Sequence, residues 1–315
     1  NSDYIYIAIR RPMKTPESGT EVFAVDQASN SAAPKFRAPF AVDMAWYRLN
    51  VSGTESSIVA DRLRGEKELN FDTTFSEGGL SAGKFDYMNG WNNLTGANSA
   101  SYSWMLKRAT GFMDAVAYSG TNGTISRNHN LGVAPELMIT KRRDSASAWT
   151  VLSELDGSSY SEMGLNSTID KSTRTYASNQ YLTAQPTATV FAQAASYDNE
   201  SGGTYITYLF ATLAGVSKVG SYTGTGSDLN VDCGFSAGAR FILIKRTDSS
   251  GGWHVWDSSR GISASTDPYL LLNSTAAEVT NTDYVDPLSS GFTVTSSAPA
   301  ALNASGGTYI FLAIA

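Results

Sequence analysis

The residues with the clearest potential for chemistry lie around His254, which stands between Trp253 and Trp256 and three residues before Asp257. A histidine beside a carboxylate can act as a general base. Alternation along a β-strand, however, places Trp253, Val255 and Asp257 on one face and His254 and Trp256 on the other. The imidazole and the carboxylate therefore point apart. The sequence predicts no catalytic role here and leaves His254 and Trp256 as candidate ligand-binding residues.

Two basic runs form a second candidate site. Lys141 and Arg142 begin one run, and Lys245 and Arg246 begin the other, each at the end of a predicted hairpin. Solvated hairpin tips are the simplest interpretation of such charges. The alternative is a site for an anionic sugar or for a neighbouring subunit. These four residues therefore stay candidate binding residues.

A third pattern is Asp-x-x-Arg-Gly, which occurs at Asp61 to Gly65 and at Asp257 to Gly261. It could hold a substrate carboxylate. A structural explanation fits better, because an aspartate at the end of a strand accepts turn amides, and the glycine supplies a positive φ. Between these two copies the chain has only Asp156-Gly157, without the arginine.

Other chemistries lack their residues. No Glu-x-Asp-x-x-Glu run supports a lectin-fold glycosidase, no Gly-x-Ser-x-Gly elbow supports a serine hydrolase, and Gly224-Thr225-Gly226 lacks the lysine of a phosphate loop. One cysteine and two histidines allow neither an internal disulfide nor a zinc finger. Acidic turns such as Asp198-Asn199-Glu200 supply too few ligands for a calcium loop. We expect no enzyme activity, no cofactor and no resident metal.

Charge and hydropathy exclude two kinds of partner. The formal net charge of −6 gives no broad attraction to phosphate backbones, so nucleic acid is a poor candidate. No run of 18 apolar residues is present, so membrane insertion is not expected. Charged residues make up only 17 %, and Ser, Thr, Asn and Gly supply the polarity, which is typical of strands and turns.

An internal repeat organises the elements that carry these residues. An aromatic and apolar run returns at intervals of roughly 100 residues, the size of a small domain. Its copies begin at Tyr4, Tyr102, Tyr205 and Tyr309. Before the last two copies the chain has matching predicted hairpins, in which residues 137–144 lead to Trp149 and residues 241–248 lead to Trp253. In this alignment Thr150 occupies the position of His254, so the repeated fold does not need the imidazole.

The repeat predicts an all-β protein of three tandem antiparallel β-sandwich modules at 1–110, 111–215 and 216–315. The first module diverges most, and it includes Tyr4–Ile9, which is interpreted as the closing strand of a preceding repeat. Connections between modules are short, which favours a stiff rod. Trp149 and Trp253 occupy matching positions and are expected to be core residues.

The motifs of the third repeat carry a family resemblance. In order they are Tyr-Thr-Gly-Thr-Gly, Ile-Lys-Arg-Thr-Asp, Gly-Trp-His-Val-Trp-Asp, Leu-Asn-Ser-Thr and Gly-Gly-Thr-Tyr-Ile-Phe-Leu-Ala-Ile-Ala. This pattern resembles the repeated jelly-roll modules, similar to concanavalin A-like lectins, of virion structural proteins and tail appendages of tailed bacteriophages. The resemblance covers the third repeat well, the second moderately and the first weakly.

The resemblance implies a virion location and no catalytic residue. We expect part of a tail fibre or similar appendage that contributes to attachment to a host-surface glycan. Other virion proteins are the expected partners, and a homo-oligomer, preferably a trimer, is the expected assembly. The alternative is a capsid or baseplate structural or decoration protein that binds only virion partners. A polysaccharide-cleaving enzyme is the less favoured third interpretation.

Overall fold

The computed structural model describes residues 14–29, 33–79, 85–92 and 97–315. The predicted strand at Tyr4–Ile9 lies outside these residues. The chain is all-β, with 41 % of residues in strands and 3 % in helices, which include the short 3-10 helices Gly19–Glu21 and Tyr176–Ser178. Among the described residues, no helix is long and apolar enough to cross a membrane. The strands are β1 (Phe23–Gln27), β2 (Phe36–Arg37), β3 (Met44–Arg48), β4 (Ile58–Asp61), β5 (Lys67–Asn70), β6 (Gly78–Gly79), β7 (Gly90–Trp91), β8 (Tyr102–Leu106), β9 (Met113–Ser119), β10 (Ile125–Asn128), β11 (Leu137–Arg142), β12 (Trp149–Ser153), β13 (Ser159–Gly164), β14 (Ser172–Thr175), β15 (Val190–Gln193), β16 (Thr204–Phe210), β17 (Ser217–Thr223), β18 (Leu229–Asp232), β19 (Phe241–Arg246), β20 (Trp253–Asp257), β21 (Leu270–Leu271), β22 (Val285–Leu288), β23 (Gly291–Val294) and β24 (Thr308–Ile314), and one short helix, α1, spans Ala300–Asn303.

Three large antiparallel sheets share one strand order. Sheet 1 runs β1-β8-β3-β4-β5-β6, sheet 2 runs β9-β16-β11-β12-β13-β14, and sheet 3 runs β17-β24-β19-β20-β21. The registers also match, because Trp46 pairs with Trp104, Ile139 with Tyr208, and Leu243 with Leu312. These registers define equivalent positions in the three sheets. Smaller sheets, β2-β7, β10-β15 and β18-β23-β22, accompany the large ones.

Each large sheet packs one face against its small sheet. In sheet 3, for example, Ile242 and Trp256 lie in one apolar cluster with Val231 and Phe292 of the small sheet. Similar outer clusters join β2 and β7 to sheet 1 and β15 to sheet 2. Alternation along the strands therefore sends every second side chain into an outer core.

The opposite faces of the three large sheets meet in one central core. Trp104 of sheet 1, Trp149 of sheet 2 and Trp253 of sheet 3 belong to the same cluster of buried residues. The prediction that both repeat tryptophans, Trp149 and Trp253, are core residues is confirmed, since they are 0 % and 1 % exposed. The three large sheets share this interior, in contrast to the stiff rod that the short connections were expected to give. The module boundaries at 110 and 215 stay a prediction.

Candidate ligand cavity between two sheets

The two predicted basic-run lysines are buried between sheets. Lys141 donates from Nζ to the Thr74 carbonyl, in the loop between β5 and β6 of sheet 1, at 3.2 Å. Lys245 donates to the Thr168 carbonyl, in the loop between β13 and β14 of sheet 2, also at 3.2 Å. Lys141 and Lys245 are both 0 % exposed. Burial lowers the pKa of each lysine to about 8. The expected position at a solvated hairpin tip is corrected for both, because their ammonium groups join neighbouring sheets.

Arg48 occupies the position in sheet 1 that Lys141 and Lys245 occupy in sheets 2 and 3. It pairs with Tyr102 of the closing strand, as the two lysines pair with Ile206 and Ile310. Its guanidinium donates to the Leu271 carbonyl in β21 of sheet 3, at 3.2 Å, and to the Ala276 carbonyl in the loop after β21, at 2.6 Å. The cation of sheet 1 therefore hydrogen-bonds to sheet 3 and its loop, the cation of sheet 2 to a loop of sheet 1, and the cation of sheet 3 to a loop of sheet 2. The three buried cations close the sheets into a ring.

The neighbouring arginines Arg142 and Arg246 stay near the surface but are paired. Arg142 lies 3.1 Å from Asp144, and Arg246 lies 3.0 Å from Asp248. Each of these aspartates has its pKa lowered to about 2, chiefly by the hydrogen bond from its arginine. The structure does not bring the four basic candidates together into one anion site.

His254 and Trp256 are buried side by side. Their rings stack with centroids 5.8 Å apart, and His254 Nδ1 lies 3.2 Å from the Gly252 carbonyl. Burial lowers the pKa of His254 to about 4, so the ring is neutral at pH 7. The predicted alternation is confirmed, because Trp256 lies in an outer core and Trp253 in the central core. With 6 % and 0 % exposure, the pair offers no open face to a ligand.

The two Asp-x-x-Arg-Gly patterns are structural, as predicted. Arg64 Nε lies 2.5 Å from Asp61, and Arg260 Nε lies 2.5 Å from Asp257. Each aspartate also accepts a hydrogen bond from a neighbouring sheet, from Tyr208 at 2.6 Å and from Trp104 at 2.9 Å respectively. We call each set of carboxylate, arginine and aromatic donor a buried brace. One brace joins sheets 1 and 2, and the other joins sheets 3 and 1.

The contact between sheets 2 and 3 lacks this brace. Ser153 pairs opposite Leu137 in the register that the two brace aspartates hold in their own sheets. Leu312 holds the register of the aromatic donors. Three residues after Ser153, Asp156 stands where the other two sheets have their arginine. All three members of the brace are therefore replaced.

A cavity of about 340 Å³ lies at this contact. Its sheet 2 side carries the polar residues Glu136, Ser153, Glu154 and Asp156, and its sheet 3 side includes Trp253. Buried apolar residues form the floor, while Glu154 and Asp156 are exposed toward solvent. The remaining lining residues are Ala134, Pro135, Leu137, Leu155, Gln185, Val219, Gly220, Ser221, Leu243, Ile310, Phe311 and Leu312.

Two polar groups of the cavity have distinctive environments. The Ser153 Oγ is buried without a hydrogen-bond partner, and its residue is only 2 % exposed. Burial alone would raise the pKa of Glu154, but hydrogen bonds from Lys171 and Ser161 outweigh it and hold that pKa below its usual value. Glu154 also has a φ of 55°, a left-handed conformation that is uncommon for a non-glycine residue.

Sequence reasoning missed this cavity, although one signal was present. The missing arginine at Asp156-Gly157 is visible in the sequence, but its consequence depends on which sheet packs against that turn. In the part of the chain that the structure describes, no group of three His, Cys, Asp or Glu residues could hold a metal ion.

Comparison with known proteins gives one family. A family model described as a domain of unknown function (DUF7483) matches residues 22–315. This single match spans all three large sheets. No curated protein and no solved structure matches the chain.

Proposed function

This chain belongs to the DUF7483 family, a domain of unknown function. From its geometry and its repeat motifs together, we propose that it is a non-catalytic structural protein of a virion that serves attachment. Each large sheet with its small sheet is interpreted as one jelly-roll-like β-sandwich, and the chain as three such modules closed around a central core. The interpretation rests on the shared strand order and on the apolar clusters between large and small sheets.

The observation that carries the structural role is the ring of buried cross-sheet contacts. Arg48, Lys141 and Lys245 each donate to a backbone carbonyl in the loop that follows a strand of another large sheet. Buried charged donors are costly unless they keep their partners, so relative movement of the sheets is penalised at every contact. Such a block suits a part that must transmit force or hold position in a particle.

The virion setting and the attachment role rest on the resemblance of the repeat motifs. A tail fibre or similar appendage is the favoured location, with other virion proteins and a host-surface glycan as partners, and with a homotrimer as the preferred assembly. The chain would present its sheet contacts and loops on the particle surface. Several linked copies would raise the apparent affinity for a repeated glycan.

The test locates the chain in intact particles and measures competition for host cells. Antibody labelling viewed by electron microscopy should mark a tail appendage, and the isolated chain should reduce adsorption of particles to host cells. Absence of the chain from purified particles would overturn the virion role. Release of reducing sugar from host polysaccharide by the isolated chain would overturn the non-catalytic role.

A capsid or baseplate component is a second candidate, and two exposed apolar side chains favour it. Phe75 and Ile169 are 68 % and 67 % exposed. They occupy equivalent places, each directly after the carbonyl that accepts a buried lysine, Thr74 and Thr168. Repeated apolar contacts of this kind suit docking onto another virion protein. Labelling of the capsid or baseplate, with no competition for adsorption, would select this candidate.

A further inference from the structure

We propose that the cavity between sheets 2 and 3 binds a guanidinium or ammonium group on a short alkyl stem. The inference goes beyond the proposed function and does not depend on the location of the chain in a virion. At two other contacts of the repeat, an arginine side chain fills the equivalent space.

At those two contacts the space holds a guanidinium group from the chain. The side chains of Arg64 and Arg260 are 0 % and 2 % exposed. Besides its aspartate, each donates to a strand carbonyl, that of Val59 at 3.1 Å and that of Val255 at 3.2 Å. The two sites therefore share two acceptors for a planar cation, a carboxylate and a strand carbonyl. Arg64 also donates to Tyr208 Oη at 3.2 Å, and Arg260 also pairs with Glu278 at 2.8 Å.

The third contact keeps acceptors but has no arginine in the equivalent place; Lys171, which is outside the lining, pairs with Glu154 on the rim at 2.6 Å. The equivalent strand residue is Val151, two positions before Ser153, and the Ser153 Oγ is buried without a partner. The lining adds the carboxyl groups of Glu136, Glu154 and Asp156, and none of the lining residues is Lys, Arg or His. An unpartnered buried hydroxyl and an acidic rim together favour a cationic donor and disfavour an anion.

The apolar floor and the volume of the cavity favour a ligand with an alkyl stem. Its floor is apolar, with Leu243, Trp253 and Leu312 on the sheet 3 side. Leu312 stands where Tyr208 and Trp104 donate hydrogen bonds at the other contacts, so the floor offers alkyl contact instead of a donor. A volume of about 340 Å³ accommodates a guanidinium with several methylene groups. The same chemistry occurs in a free alkylguanidine and in an arginine side chain of a partner protein.

The experiment is calorimetric titration of the full chain with n-butylguanidinium, with N-butylurea as the neutral isostere and pentanoate as the anion. We expect saturable binding of the guanidinium at millimolar concentration, with the urea at least about tenfold weaker and pentanoate without binding. A Gly-Arg-Gly peptide distinguishes the two sources. Tighter binding of the peptide than of butylguanidinium indicates a partner's arginine, and weaker binding indicates a free small molecule.

Two variants test the location. Asp156→Arg restores the arginine that the other two contacts have, and it should fill the cavity and abolish binding. Asp156→Asn keeps the size of the side chain and should weaken binding at least severalfold. Glu66→Arg makes the same charge change at an exposed site outside the cavity, and it should leave binding unchanged. Equal affinity for the urea and the guanidinium, no binding at millimolar concentration, or equal loss in Glu66→Arg and Asp156→Arg would each overturn the proposal.

Discussion

Removal of Arg64 tests the buried brace between sheets 1 and 2. The side chains of Arg64 and Asp61 are 0 % and 1 % exposed, so Arg64→Met leaves a carboxylate in the interior without its cation. Loss of one partner of a buried pair costs about 3–5 kcal/mol. The substitution also removes the donor to the Val59 carbonyl. Against a typical total stability of roughly 5–15 kcal/mol, the variant should be severely destabilised.

The double variant Asp61→Asn with Arg64→Met separates charge from packing. It leaves no bare carboxylate, so we expect it to recover a large part of the loss. Arg62→Met is the matched control, because Arg62 is 40 % exposed and its pair with Asp43, at 3.3 Å, should contribute at most about 1 kcal/mol. Urea unfolding followed by tryptophan fluorescence measures all three. The reasoning fails if Arg64→Met costs no more than Arg62→Met, or if the double variant is less stable than Arg64→Met.

Three further predictions concern the buried residues. The free energy of unfolding of the wild type should fall by up to about 3 kcal/mol relative to His254→Thr as the pH falls from 6.5 to about 4. The reason is that His254 takes up a proton in the unfolded chain but stays neutral when buried. Equal acid sensitivity of both proteins in urea unfolding would contradict this. Trp149→Ala and Trp253→Ala should each cost roughly 3–5 kcal/mol, and ready quenching of these indoles by iodide in the native protein would contradict their burial. Relative to Lys245→Met, wild-type stability should rise between pH 8 and 10.5, since the folded chain releases the Lys245 proton at about 8 and the unfolded chain near 10.5; a parallel pH dependence of both proteins would refute the lowered pKa.

The strands and their pairing were largely predictable from sequence. The hairpins after residues 137 and 241 occur as β11-β12 and β19-β20, because turn residues and apolar runs are local signals. The closing strand is the second strand from one edge in each large sheet, next to the hairpin. The repeated sequence motifs therefore predicted the repeated hairpins and closing strands.

The packing of the sheets was not predicted, although a signal existed. Every residue of β3, β12 and β20 is buried. A strand in a lone sandwich alternates between a buried and a wet face, whereas continuous burial requires a cover on both faces. Both faces of the run from Trp253 to Trp256 are buried. One face packs against the small sheet, and the other packs against the other large sheets of the same chain.

The cavity depends on long-range packing in the same way. Ser153 and Asp156 are ordinary polar residues near a turn in the sequence. Their significance appears only when Leu312, more than a hundred residues later, is found in the register of Tyr208 and Trp104. No local pattern connects these positions, because the brace consists of residues from two sheets.

Three similar large sheets form one body around one core. Differential scanning calorimetry of the full chain tests this arrangement. A single transition, with calorimetric and van't Hoff enthalpies that agree, is the predicted result, and Arg64→Met should shift that whole transition to lower temperature. Two or three transitions with separate midpoints, of which Arg64→Met moves only one, would contradict the shared core and restore independent modules.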